Sequence, residues 1–174
     1  MSTLSRPSRA VAIPSLVVAL LAASSPLANA QQSAKLKWGP APPVLPSGAN
    51  VAVVSGDPGK AGPFVIELSM PNGYRIAPHW HPTDEHVLVK QGTFLLGMGD
   101  TMDASAIKAM KTLKVGEKAE AKANMHHYAM ARGKTMVEVS GQGPFTLTYV
   151  NAADDPQKAI AARPKAKTTA KKKA

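Results

Sequence analysis

The chain has 174 residues, a formal net charge of +10 and no cysteine. No disulfide can staple it, and thiolate-bearing zinc and blue-copper sites are excluded. The basic excess sits at the ends: Arg6 and Arg9 near the start, and Lys158, Arg163, Lys165, Lys167, Lys171, Lys172 and Lys173 after Asp155 with no acid among them, so that setting these nine aside leaves twelve bases against eleven acids.

Residues 1–30 read as a secretory signal peptide. Arg6 and Arg9 form its positive start, Val11 to Leu21 is largely apolar, and Ala28-Asn29-Ala30 offers small residues for cleavage after Ala30. The apolar run is short of the roughly 20 residues that a spanning helix needs. Arg9 has no second arginine beside it, so twin-arginine export has no support. Export to the periplasm or beyond is expected, leaving about 144 residues, one domain by length and enough for a packed core.

Residues 31–50 carry Pro40, Pro42, Pro43 and Pro46 and are expected to form an extended arm. From Val51 to Asp155 short apolar runs alternate with Gly, Pro, Asn and Asp. Val51–Ser55, Phe64–Met70, Tyr74–Trp80, His86–Lys90, Thr93–Met98, Thr135–Ser140 and Phe145–Val150 are strand candidates. Ala104 to Leu113 is the one helical piece, with Asp103 or Ser105 as its cap. Many short strands with one helix predict an all-β sandwich or barrel. Residues 156–174, rich in Lys, Ala and Thr, are expected to be disordered. Such a tail is either solvated or rests weakly on an anionic envelope surface. No nucleic-acid motif accompanies it.

All five histidines fall in two windows, His79-Trp80-His81 with His86, and His126-His127. His79 and His81 are two apart, so a strand aims both imidazoles at one face. Glu85 follows four further on, beyond a kink or turn at Pro82. Two ring nitrogens and a carboxylate are a partial site for a borderline divalent ion, and His126 or His127 is the natural fourth ligand. The same parity puts Arg75 and Ala77 on the His79 face, where Arg75 either pairs with a substrate carboxylate or forms an ion pair at the rim. Met125, Ala129 and Ala131 share the face of His127. The scattered methionines Met98, Met102, Met110, Met125, Met130 and Met136 read as core filler rather than copper ligands.

These residues resemble the cupin superfamily. Its first motif is Gly, five residues, His-x-His, three or four residues, Glu, six residues, Gly, and Gly73, His79, His81, Glu85 and Gly92 match it throughout. The second motif is Gly, five residues, Pro-x-Gly, two residues, His, three residues, Asn. Gly116 opens it and His127 falls on the ligand position, while Lys122, Asn124 and Ala131 replace its Pro, second Gly and Asn. Asn is the least costly replacement where the backbone needs positive φ. His126 takes the ligand position if the turn differs. The resemblance covers roughly Val51 to Val150.

The resemblance implies a jelly roll, or double-stranded β-helix barrel, with one short helix between the motifs. It implies a divalent transition metal (iron, manganese, nickel, copper or zinc) held by His79, His81, Glu85 and His127, with Glu85 also a candidate base. It implies a metal-dependent enzyme acting on a small organic molecule, dioxygenase-like, a decarboxylase or an isomerase. A non-catalytic ligand-binding, metal-binding or sensor module of the same fold is the alternative. A homodimer is expected on the same ground.

Overall fold

The computed structural model describes residues 36–161, with side chains to residue 158. The expected signal peptide and most of the expected tail lie outside the described residues. Among these residues nine strands form one curled antiparallel sheet: β1 (Gly39–Pro40), β2 (Asn50–Ser55), β3 (Gly62–Met70), β4 (Arg75–Trp80), β5 (Glu85–Met98), β6 (Lys111–Lys114), β7 (Lys118–Ala121), β8 (His127–Gly143) and β9 (Thr148–Tyr149). The fold is an all-β jelly roll.

Two long strands organise it. β8 carries β3 and then β4 along one edge, and β5 along the other. Both long strands bend midway. The β5–β8 register shifts between Val89 and Thr93, and Gly92 stands at φ 75° at the bend. A β-carbon on Gly92 would lie 2.4 Å from the Lys134 carbonyl oxygen, so only glycine fits this close approach. Thr135 Oγ1 donates to the Thr93 carbonyl at 3.0 Å and helps satisfy the backbone that the bend leaves unpaired. Each long strand thereby serves both halves of the curled sheet.

Alternation fills the interior. Phe64, Leu68 and Met70 of β3, Val87, Val89, Phe94 and Leu96 of β5, and Ala129, Ala131, Val137 and Val139 of β8 form one buried cluster. Burying a side chain such as Phe64 contributes about 1.5–3 kcal/mol. On the outer face, Leu95, Met110 and Tyr128 pack beneath helix α1 (Ala104–Ala109) with Met102, Ala106, Ile107 and Met130. Asp103 caps α1 by accepting from Ala106 N–H at 2.8 Å.

Several expected boundaries move. The helix ends at Ala109, and Leu113, expected inside it, belongs to β6 and is buried. His86–Lys90 and Thr93–Met98 are one strand bent at Gly92. The proline-rich arm is extended but not loose. Its β1 pairs with β2, Val44 and Leu45 pack on the core, and the Val44 and Pro46 carbonyls accept from Tyr149 (2.8 Å) and Tyr74 (2.5 Å) hydroxyls. The segment expected to be disordered from residue 156 begins instead with helix α2 (Pro156–Ala161), to which Asp155 supplies an acceptor for Gln157 N–H.

Candidate metal centre

His79 lies near the end of β4 and pairs across the sheet with His127, the first residue of β8. His81 follows β4 by one residue. Glu85 opens β5, beyond the turn at Pro82, and so arrives from a new strand rather than by continued parity. The structure brings His79, His81 and His127 together, their ligand atoms all within 4.8 Å of one another. Glu85 Oε2 lies 3.2 Å from His127 Nε2 and 3.8 Å from His81 Nε2. The three histidines are buried, and the Glu85 side chain is only 13% exposed.

The decisive detail is on the far side of each ring. His79 Nδ1 lies 2.8 Å from the Ala77 carbonyl, His81 Nδ1 2.7 Å from that of Thr146, and His127 Nδ1 2.9 Å from that of Met125. A carbonyl only accepts, so each Nδ1 carries the proton and donates it. In the neutral rings every Nε2 is then a bare lone pair. Nε2 of His81 and of His127 is buried without a hydrogen bond. Three lone pairs and a carboxylate converging in a largely buried site repel one another unless a cation joins them.

The electrostatics agree. Burial, reinforced by the neighbouring His127 and His81, pushes His79 down to about 3. Burial also lowers His81, against the pull of Glu85. For His127 burial is the largest influence and lowers it, but contact with Glu85 prevails and the net direction is up. Glu85 is the mirror case: burial raises it, the imidazoles led by His127 prevail, and it stays low. The centre therefore holds a carboxylate and draws positive charge towards it. Three imidazole nitrogens and one carboxylate oxygen suit a divalent transition metal.

The neighbouring residues separate cleanly. His126 points outward, 38% exposed, with Nδ1 2.6 Å from Asp100 Oδ1. His86 is 55% exposed and 3.6 Å from Glu120. Arg75 does not reach the site face. The β4–β8 register jumps from Ile76↔Ala129 to His79↔His127, one extra residue on β4. That bulge reverses parity, so Ile76 and Tyr74 are buried and Arg75 is exposed. Ala129 and Ala131, expected on the face of His127, are buried as it is, whereas Met125, expected there too, is 42% exposed. Sequence reasoning missed Phe145, which stacks on His81 with centroids 4.1 Å apart, and the Thr146 carbonyl that orients the same ring. Both come from a loop sixty-odd residues away (Thr146 and His81 differ by 65), and no local pattern announces such a contact.

No protein-family model and no curated relative matches the chain. Solved structures do. One is a protein of Methylibium petroleiphilum PM1 proposed to be an acetylacetone dioxygenase: 19% identity, TM-score 0.53, covering 89% of this chain and all of that one, 100%. Another is a sugar phosphate isomerase of the cupin superfamily from Silicibacter pomeroyi DSS-3: 15% identity, TM-score 0.50, covering 67% of this chain and 78% of that one. At these identities the likeness is one of fold, and the fold is that of the cupins.

Proposed function

We propose that this cupin-fold chain is an exported protein that holds a divalent transition metal on Nε2 of His79, His81 and His127 and on the Glu85 carboxylate, and uses it to act on a small organic molecule. The observation that carries the reading is the set of three Nδ1-anchored histidines whose remaining lone pairs converge with a carboxylate in a buried site. Such a metal supplies a Lewis acid that polarises and orients an oxygen-bearing ligand. The chain's own contribution is to fix each ring through a backbone carbonyl, to exclude water with Phe145 and the core, and to keep Glu85 ionised. Acetylacetone is the first compound to try, because one fold neighbour is a proposed acetylacetone dioxygenase.

A second reading, a binding or sensor module without turnover, has its own observation. Among the described residues the buried polar side chains are His79, His81, His127, Glu67 and Thr135. Glu67 faces Lys90 and Thr135 braces the bend. Tyr149, buried and paired with His79 across the sheet, gives its hydroxyl proton to the Val44 carbonyl at 2.8 Å, which leaves Glu85 as the acid or base beside the three histidines.

The test is to express the full chain in an export-competent host without a histidine tag and measure its metal by mass spectrometry, then follow oxygen uptake with acetylacetone. Stoichiometric metal with turnover supports the enzyme. Stoichiometric metal with ligand-dependent stabilisation and no turnover supports the binder. No metal after reconstitution overturns both. Recovery of the chain with Gln31 as its first residue from the periplasmic fraction or medium checks the export reading.

A further inference from the structure

We propose that Asp84 is a positioning residue for the metal centre: it clasps the loop before His127 to the turn after His81 and so sets where the fourth ligand stands relative to the other three. This rests on the metal reading above.

Asp84 sits between the two ligand sets. Its Oδ1 accepts from Ala123 N–H at 2.8 Å, and its Oδ2 lies 3.1 Å from Lys122 Nζ. One residue on, Asn124 N–H donates to the His81 carbonyl at 2.8 Å. Asn124 stands at φ 60°, and Met125 N–H closes the turn onto the Lys122 carbonyl at 2.9 Å. The Met125 carbonyl then accepts from His127 Nδ1. An unbroken series of contacts therefore runs from the first ligand loop, through Asp84, to the ring of His127.

This series occupies the place where the second motif departs from the family pattern. A Pro-x-Gly turn is stiff by itself, because proline fixes φ and glycine accepts the left-handed conformation. Lys122-Ala123-Asn124 has no proline. Its stiffness has to come from outside the loop, and Asp84 supplies it with a charged acceptor on a backbone N–H and a cation partner. Because a mispositioned ligand binds its metal poorly, supporting groups of this kind typically govern affinity by roughly 10–100-fold.

The test compares Asp84→Ala, Asp84→Asn and Lys122→Met with Asp103→Ala. Asp103 caps α1 with the same 2.8 Å acceptor geometry, and its side chain accepts from Ala106 N–H and the Ser105 hydroxyl within that helix. Cobalt(II) affinity is measured by competition with a chromophoric chelator, the cobalt absorption bands report ligand geometry, and melting of the metal-free chain reports fold. Asp84→Ala is expected to weaken cobalt roughly 10–100-fold and shift the bands. Asp84→Asn, which keeps the Oδ1 acceptor, recovers most of the loss, Lys122→Met shows a small loss, and Asp103→Ala leaves affinity unchanged. If wild type and Asp84→Ala bind cobalt alike with the same bands, the clasp is wrong and the metal reading stands. If wild type binds no cobalt, both fall.

Discussion

The two stretches that bring His79, His81, Glu85 and His127 together reach the same point by different means. Residues 73–92 keep every position of their motif, and His79, His81 and Glu85 sit on or beside regular strands held by the core. Residues 116–131 keep only the opening glycine and the histidine, yet His127 is as buried as His79, which it faces across the sheet. Strand register brings His127 opposite His79 without the motif's Pro and second Gly. The motif's remaining letters describe one way of making the approach turn, and here a tether from the first stretch makes it instead.

Removing one histidine from each stretch should have the largest effect. His79→Ala and His127→Ala should each cost the metal at least the roughly 10–100-fold in affinity that a supporting partner costs, seen as metal lost on dialysis against a chelator. Equal losses would make the degenerate stretch a full partner. Retention of metal by His127→Ala alone, with affinity intact, would reduce the centre to the first stretch.

The next contrast lies in the glycines. Gly92, closing the first motif, has φ 75° and would bring a β-carbon within 2.4 Å of the Lys134 carbonyl oxygen and 2.8 Å of Thr135 Oγ1. Gly116, opening the second, has φ 87° but nothing within 4 Å. Gly116→Ala therefore costs only the left-handed conformation, about 1–2 kcal/mol. Gly92→Ala adds an overpacking cost of about 1–3 kcal/mol. Denaturant midpoints compare them directly, and a Gly116→Ala loss as large as that of Gly92→Ala would show the second turn to be as tightly built as the bend.

Acid titration of the metal-free chain separates the two histidines by sign. His79 has a folded pKa near 3 against 6.5 for the free residue, chiefly from burial. Between those values the unfolded chain binds a proton that the folded chain refuses, so stability falls as pH drops from 6.5 towards 3. His127 is shifted upward by Glu85. Its contribution is present below 6.5 and is lost as pH rises through its folded value. His79→Gln should flatten the acid limb of a stability–pH curve, and His127→Gln should flatten the neutral limb. Changes of slope in the same direction would contradict the assignment.

How much of this was legible in the sequence follows from what each signal encodes. The convergence of His79, His81 and Glu85 was legible from residue type and spacing together, and the motif register picked His127 over His126. The left-handed turn at Asn124 was legible for a similar reason, since few side chains accept it. Alternation and turn residues pointed to an all-β sandwich or barrel, and the resemblance narrowed this to a jelly roll, but element lengths followed from neither. Gly92 looked like a break between two strands and is a bend within one. β6 and β7 carry mostly lysine, glutamate and alanine, with Leu113 and Ala121 the side chains they bury, too few to set a period. Ile107, Met110 and Leu113 fall three apart, which imitates a helix face and extended the expected helix past its true end. Phe145, Thr146 and the Asp84 tether belong to contacts between distant segments, and their residue types are ordinary.

Arg75 marks the place where local parity fails. Counting by twos from His79 puts Arg75 in the site, and a cation there would make a ligand carboxylate the obvious substrate group. The register contradicts the count: three steps on β4, from Ile76 to His79, match two on β8, from Ala129 to His127. One extra residue turns everything before it to the other face, which is why Ile76 is buried and Arg75 exposed. Arg75→Ala should therefore change neither cobalt affinity nor acetylacetone binding by more than about twofold, the scale of an ordinary surface substitution of about 0.5 kcal/mol. A larger loss of ligand binding, with metal and melting temperature unchanged, would mean that the strand can slip by one residue and deliver Arg75 to the ligand. The first stretch would then owe its ligand geometry to the metal rather than to the bulge.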